Sequence, residues 1–169
     1  MSRDILDLHP LLRPICIEHM RLFKERSPDI LCILSFTWRS NKEQDELFYQ
    51  GRSSSGKIVN PKLIVTNARG GQSWHNITYG DVAASLAYDL WLGDAKKKAL
   101  PATDHNWQIL GNIGLRLGLE WGVLLKANHR WDLGHFYLRG VNNITLAEAK
   151  SGIQPIAKDI QPSVNPPVV

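Results

Sequence analysis

The chain has 169 residues, 43% hydrophobic and 21% charged, with a formal net charge of +4. That suffices for one globular domain with a buried core, and no run of about 18 or more apolar residues offers a membrane span. The basic residues are scattered, with only Lys96, Lys97 and Lys98 contiguous, and no nucleic-acid motif accompanies them, so a nucleic-acid partner is not expected.

The N-terminus carries Asp4, Asp7 and prolines where a secretory leader needs an apolar stretch, so no classical signal peptide is expected. Residues 8–26 place Leu12, Cys16, Met20 and Phe23 at helical spacing, beside Leu11, Ile15 and Leu22, which predicts an amphipathic helix. Ser27, Pro28 and Asp29 stop it. Ile30 to Phe36 is a short, nearly continuous apolar run, the pattern of a buried strand. The two cysteines, Cys16 and Cys32, lie in these apolar segments without a close C-x-x-C partner and read as reduced core thiols.

Ser40 followed by Glu43 forms a capping-box pattern, predicting a helix over Asn41 to Gln50 with Leu47 and Phe48 inward. Gly51 ends it, and residues 51–73 read as a long surface loop. Leu86 to Trp91 suits a strand, with Ala87, Asp89 and Trp91 on one face and Leu86, Tyr88 and Leu90 on the other. Asp104 can cap a helix from His105 to Leu117, closed by Gly118. Short strands follow at Leu119–Trp121 and at His135–Leu138. Residues 1–143 thus form a single domain of α+β class, a small, mostly antiparallel sheet with packed helices. Residues 144–169 read as a C-terminal extension, a short helix at 146–150 and then a Pro-rich tail.

Of six histidines, His9, His19, His105 and His129 lack a ligand-like setting. His75 sits in Gly70-Gly71-Gln72-Ser73-Trp74-His75-Asn76, and His135 has Asp132 three residues before it. A catalytic zinc takes three His or carboxylate ligands and leaves one position open. A further carboxylate must move a proton from water to the leaving group. His75, Asp89 and His135 with Asp132 as base meet that need, although the H-E-x-x-H helix is absent.

Three ordered motifs then carry a resemblance. They are Thr37-Trp38-Arg39-Ser40 with Glu43-Gln44 and Gln50-Gly51-Arg52, then Thr66 through Asn76, then Leu119-Glu120-Trp121-Gly122 with Trp131-Asp132-Leu133-Gly134-His135-Phe136. Over about Leu8 to Leu138 the chain resembles the M15 family of zinc peptidases, which takes in phage endolysins, L-alanyl-D-glutamate endopeptidases and VanY-like D,D-carboxypeptidases. The resemblance implies the D-Ala-D-Ala carboxypeptidase/hedgehog-like fold, with Zn2+ as cofactor and the peptidoglycan stem peptide as substrate. It implies His75 and His135 as zinc ligands, Asp132 as general base, and Arg39, Gln44 and Ser73 lining the substrate cleft. A planar guanidinium at Arg39 can also hold a carboxylate or a developing oxyanion.

The second ligand departs from the family's Gly-x-Ala-x-Asp pattern, and Asp81 and Asp89 compete for it. A strand holds a ligand more rigidly than a turn, so Asp89 is chosen and residues 77–85 are treated as an inserted loop. Gly134 stands where the family often has proline. The expected activity is L-alanyl-D-glutamate endopeptidase action as a phage endolysin, by a monomer kept in the host cytoplasm until release. The alternatives are D,D-carboxypeptidase or dipeptidase action on terminal D-Ala, and a non-catalytic zinc-stabilised wall-binding module.

Overall fold

The computed structural model describes residues 1–122, 132–138 and 146–151. His129, Trp131 and the Pro-rich stretch beyond residue 151 lie outside them. The chain order is α1 (Leu12–Arg26), β1 (Leu31–Phe36), α2 (Asn41–Phe48), β2 (Thr78–Tyr79), β3 (Val82–Ala83), β4 (Ala87–Gly93), α3 (Asn106–Arg116), β5 (Leu119–Trp121), β6 (His135–Leu138) and α4 (Leu146–Lys150), with 3-10 turns at Ile5–Asp7, Pro61–Leu63 and Trp74–Asn76. Four strands form one sheet in the order β1-β4-β6-β5 with every pair antiparallel. The fold is α+β, as expected.

Helix α1 starts at Leu12 rather than near residue 8, because Leu8 bridges Ser85 and leads the chain along the domain first. Its buried stripe is Leu12, Cys16, His19 and Phe23, so a histidine occupies a core position beside the apolar ones. The Ser40–Glu43 capping box of α2 is present in full: Ser40 Oγ accepts from Glu43 N and Glu43 accepts from Ser40 N. Phe48 and Gln44 are the buried residues of α2; Leu47 is half-buried and lines a cleft. Helix α3 is anchored by Asp104, whose Oδ1 accepts from Asn106 N and Nδ2.

The apolar run of β1 departs from the buried strand expected of it. It forms the sheet edge, and Ile33 is 43% exposed. Its hydrophobicity serves the half of the strand that packs on α1, with Leu34 and Cys32 against the core. Cys16 and Cys32 are both free thiols, and burial pushes each up to about 12. Residues 77–85, expected as a loop, form the small β2–β3 hairpin.

Side chains alternate across β4 and β6. Tyr88, Leu90 and Phe136 turn toward α1 and α3: Tyr88 Oη meets His19 Nδ1 at 2.7 Å, and Phe136 packs edge-on to His19 with ring centroids 4.6 Å apart. Trp121 stacks on Phe136, and Ala149 of α4 is buried in the same cluster. Asp89 and His135 are therefore carried on the opposite face of the sheet, away from the helices that make the core.

Candidate metal centre

Strands β4 and β6 place Asp89 directly across from His135 in the antiparallel register. Paired residues on one face sit with Cβ atoms about 5 Å apart, close enough to share one ion. The third member, His75, comes from the Trp74–Asn76 turn. Ser73 caps that turn through a 3.3 Å bond from His75 N, and Asn76 Oδ1 accepts from the Ser73 and Gly71 amides. Two backbone bonds then tie the turn to the sheet, Leu86 N to Trp74 O and Arg39 N to His75 O. Among the described residues these three side chains form the group able to hold a metal ion.

The geometry fits such an ion. His75 Nε2 lies 3.2 Å from His135 Nδ1 and 3.4 Å from Asp89 Oδ1, and His135 Nδ1 lies 2.9 Å from Asp89 Oδ1. Ligands held tetrahedrally at about 2.0–2.1 Å from zinc stand about 3.3 Å from one another, so a small contraction or expansion of each edge suffices. The tautomer of His75 is set from behind. Its Nδ1 donates to the Thr37 carbonyl at 2.5 Å, which leaves the Nε2 lone pair facing the other two donors.

The electrostatics fit as well. Burial alone would raise the Asp89 carboxyl, but His75 and His135 outweigh it and hold Asp89 well below the usual carboxylate range. Burial would lower His135, yet the hydrogen bond and charge of Asp89, with Asp132 beyond, hold it above the ordinary imidazole value. Asp132 stands open to solvent at the mouth of the cleft, on the turn whose carbonyl accepts from His135 N at 3.3 Å. The protein wall around it, and then the charge of Asp89, raise it above an ordinary aspartate, against the opposing pull of His135, His75 and Arg39.

Arg39 is only 8% exposed. Burial lowers its pKa, against the attraction of Asp89 and Asp132. Its Nη2 donates to Asp89 Oδ2 at 3.4 Å and its Nη1 to Gln44 Oε1 at 2.9 Å. Two of its three nitrogens are thus engaged within the protein, although the residue also lines the cleft. Ser73 lines the cleft too. Gln44 sits behind the wall, 1% exposed. Asp81 lies on the exposed turn of the β2–β3 hairpin, apart from the group that holds Asp89. His9, His19 and His105 join no metal-binding group among the described residues.

The sequence reading missed the Thr37 carbonyl, which carries no side-chain signal. It also noted Gly134 only as standing where the family often has proline. In the fold Gly134 is a close-approach position: its carbonyl accepts from Leu90 N at 2.8 Å, and a Cβ there would lie 2.2 Å from the Leu90 carbonyl. The bare backbone brings the Asp132–His135 turn against β4.

The cleft holds about 1180 Å³. The four acid and imidazole groups stand on one part of its wall, and Phe36, Ile58, Ile64 and Val65 line an apolar part. A cleft of this size admits a peptide segment.

No family model matches the chain. It is 34% identical over 119 residues to the peptidoglycan L-alanyl-D-glutamate endopeptidase CwlK of Bacillus subtilis (strain 168), an alignment covering 69% of this chain and 65% of that protein. The chain is related to the M15 peptidases. The chain spans just under two thirds of the length of this curated relative. Its fold also matches two solved structures at a TM-score of 0.53 each. One is VanYB in complex with D-alanine-D-alanine, at 13% identity, covering 86% of this chain and 77% of that one. The other is a mutant of the vancomycin-resistance D,D-pentapeptidase VanY in complex with Zn(II), at 14% identity, covering 84% and 83%. These two likenesses show the shared fold.

Proposed function

We propose that this protein is a zinc-dependent peptidoglycan hydrolase that cuts the L-alanyl-D-glutamate bond of the stem peptide. The observation that carries the reading is the convergence of three donors at 2.9–3.4 Å on a cleft wall that also holds Asp132. A purely structural zinc site is closed by a fourth protein ligand, whereas here, among the described residues, three donors open onto a cleft with a carboxylate beside them. The endopeptidase specificity is supported by the likeness to CwlK.

His75 and His135 supply nitrogen lone pairs and Asp89 a carboxylate oxygen. Zinc, when bound there, supplies a Lewis acid that polarises the scissile carbonyl and makes water more acidic. Asp132 takes the proton from the attacking water and returns it to the leaving amine. Its raised pKa suits both halves of that exchange better than an ordinary aspartate would. Arg39 contributes positive charge on the wall where negative charge grows during attack. With Nη1 and Nη2 engaged by Gln44 and Asp89, it does so through its field rather than by a bidentate grip on substrate. The resemblance of its motifs to those of M15 enzymes, phage endolysins among them, supports extending the proposal to a role as a lysis enzyme.

The test is digestion of purified peptidoglycan with the zinc-loaded protein, followed by product analysis. New free D-glutamate amines that disappear on chelation are the expected result. Release of D-alanine instead would assign terminal D,D-carboxypeptidase action. Wall binding without any new amine, unaffected by chelation, would leave a binding module.

A further inference from the structure

Gln44 is a buried amide that makes three bonds, to two sides of the site. Its Oε1 accepts from Arg39 Nη1 at 2.9 Å. Its Nε2 donates to the Ala68 carbonyl at 2.9 Å and approaches Thr66 Oγ1 at 3.4 Å. Thr66 and Ala68 line the cleft. On the other side Arg39 Nη2 meets Asp89 Oδ2, the carboxylate oxygen turned away from the two histidines. A continuous chain of bonds therefore runs from the cleft wall through Gln44 and Arg39 to the carboxylate that faces the ion site.

Beyond these bonds, Arg39 Cζ lies 5.6 Å from the centroid of the Phe36 ring. Its Nε has no side-chain or backbone partner, and its main chain is fixed independently, with Asn76 Nδ2 donating to Arg39 O. Among the described residues, the hydrogen bonds that direct the guanidinium are those to Gln44 and Asp89. An amide serves both arms of Gln44 at any pH, accepting from a cation at one end and donating to a carbonyl at the other. Partners that orient a ligand from behind typically control metal affinity roughly 10–100-fold.

We infer that Gln44 is a positioning residue that aligns Arg39 on Asp89 and in the same act holds the Thr66–Ala68 wall, coupling substrate contact to the geometry of the metal-facing carboxylate. The inference rests on the peptidase reading for its kinetic half; its metal half does not.

Two variants separate the arms. Gln44→Leu removes both, and zinc affinity in a competition titration is expected to fall roughly 10–100-fold, with kcat reduced and KM for a soluble stem peptide raised. Gln44→Glu keeps an acceptor for Arg39 but turns an oxygen toward the Ala68 carbonyl. It is expected to hold zinc within a few-fold of the parent while KM rises. A residue that merely fills space would lower the melting temperature and leave zinc affinity and KM of the folded protein unchanged; that result in Gln44→Leu overturns the inference. Should Gln44→Leu fail to fold, Gln44→Glu decides alone: raised KM with retained zinc supports the coupling, and parental KM overturns it. If the parent neither binds zinc nor cuts the peptide, the proposed function has failed instead.

Discussion

His19 makes the stability of this protein fall in acid by an amount that can be worked from the structure. The ring is fully buried between α1, β4 and α3, with Nδ1 at 2.7 Å from Tyr88 Oη and Nε2 at 2.9 Å from the Leu110 carbonyl. The neutral tautomer satisfies both: Nε2–H donates to the carbonyl and Nδ1 accepts from the phenol. Burial pushes its pKa from the ordinary 6.5 down to about 4, against a small opposing pull from Leu110. Between those values the unfolded chain binds a proton that the folded chain refuses. The stability is therefore complete above pH 6.5 and drains as pH falls toward 4. Below that the folded protein takes the proton too, and no more is lost through this group. At about 1.4 kcal/mol per pH unit the loss is about 3 kcal/mol, a large share of the roughly 5–15 kcal/mol that holds a domain together. His19→Gln keeps a donor and an acceptor but cannot titrate. Urea unfolding of both zinc-stripped proteins at pH 7, 6, 5 and 4 gives the comparison, because the metal-site histidines contribute equally to each. The variant should lose about 3 kcal/mol less than the parent between pH 7 and pH 4. Equal losses, or an imidazole resonance of His19 titrating near 6.5, would refute the reasoning.

Asp132→Asn should cut peptidoglycan turnover roughly 10²–10⁴-fold while zinc content by elemental analysis stays at the parental level; loss of zinc would make Asp132 a ligand. Asp89→Asn removes the charge that faces both histidines and should cost at least tenfold in zinc affinity, read by chelator competition. Zinc affinity of the parent should weaken as pH falls through neutrality, since His135 holds its proton above the ordinary imidazole value and must give it up to bind. Gly111→Ala would set a Cβ 2.5 Å from ring carbons of Trp121. The overpacking, about 1–3 kcal/mol, outweighs the helix-propensity gain of about 1 kcal/mol, so its melting temperature should drop.

What the sequence made legible follows from where its signals are local. Ser40 and Glu43 announce α2 because a capping box is written in adjacent residues. The alternation around Asp89 shows which β4 residues share a face. Strand order is another matter. β6 lies between β4 and β5, and that arrangement depends on packing of Phe136 against His19, Tyr88 and Trp121, contacts of which the one to His19 spans more than a hundred residues. The β2–β3 hairpin escaped notice because two-residue strands are too short to show a period. Gln44 was legible as a polar residue of a site motif, but not as one turned inward, because an amide on a helix shows no sign of its partners until Arg39 and Ala68 are brought to it.

The division of labour between strand and turn explains why Asp89 rather than Asp81 can complete the centre. A one-residue slip of β4 against β6 would send Asp89 into the helix-packed core and bring Tyr88 or Leu90 to the site. That register is fixed by burial: Tyr88, Leu90 and Leu92 on one side are all nearly inaccessible, so the hydrophobic core itself sets the position of the metal-facing carboxylate. Asp81 has no such constraint on an exposed hairpin turn. Asp132, in contrast, lies on a turn pressed to β4 at Gly134 and open to solvent at the cleft mouth. A ligand must stay still and a proton carrier must reach first a water and then an amine. The fold gives the first task to paired strands and the second to the residue three positions before the strand begins.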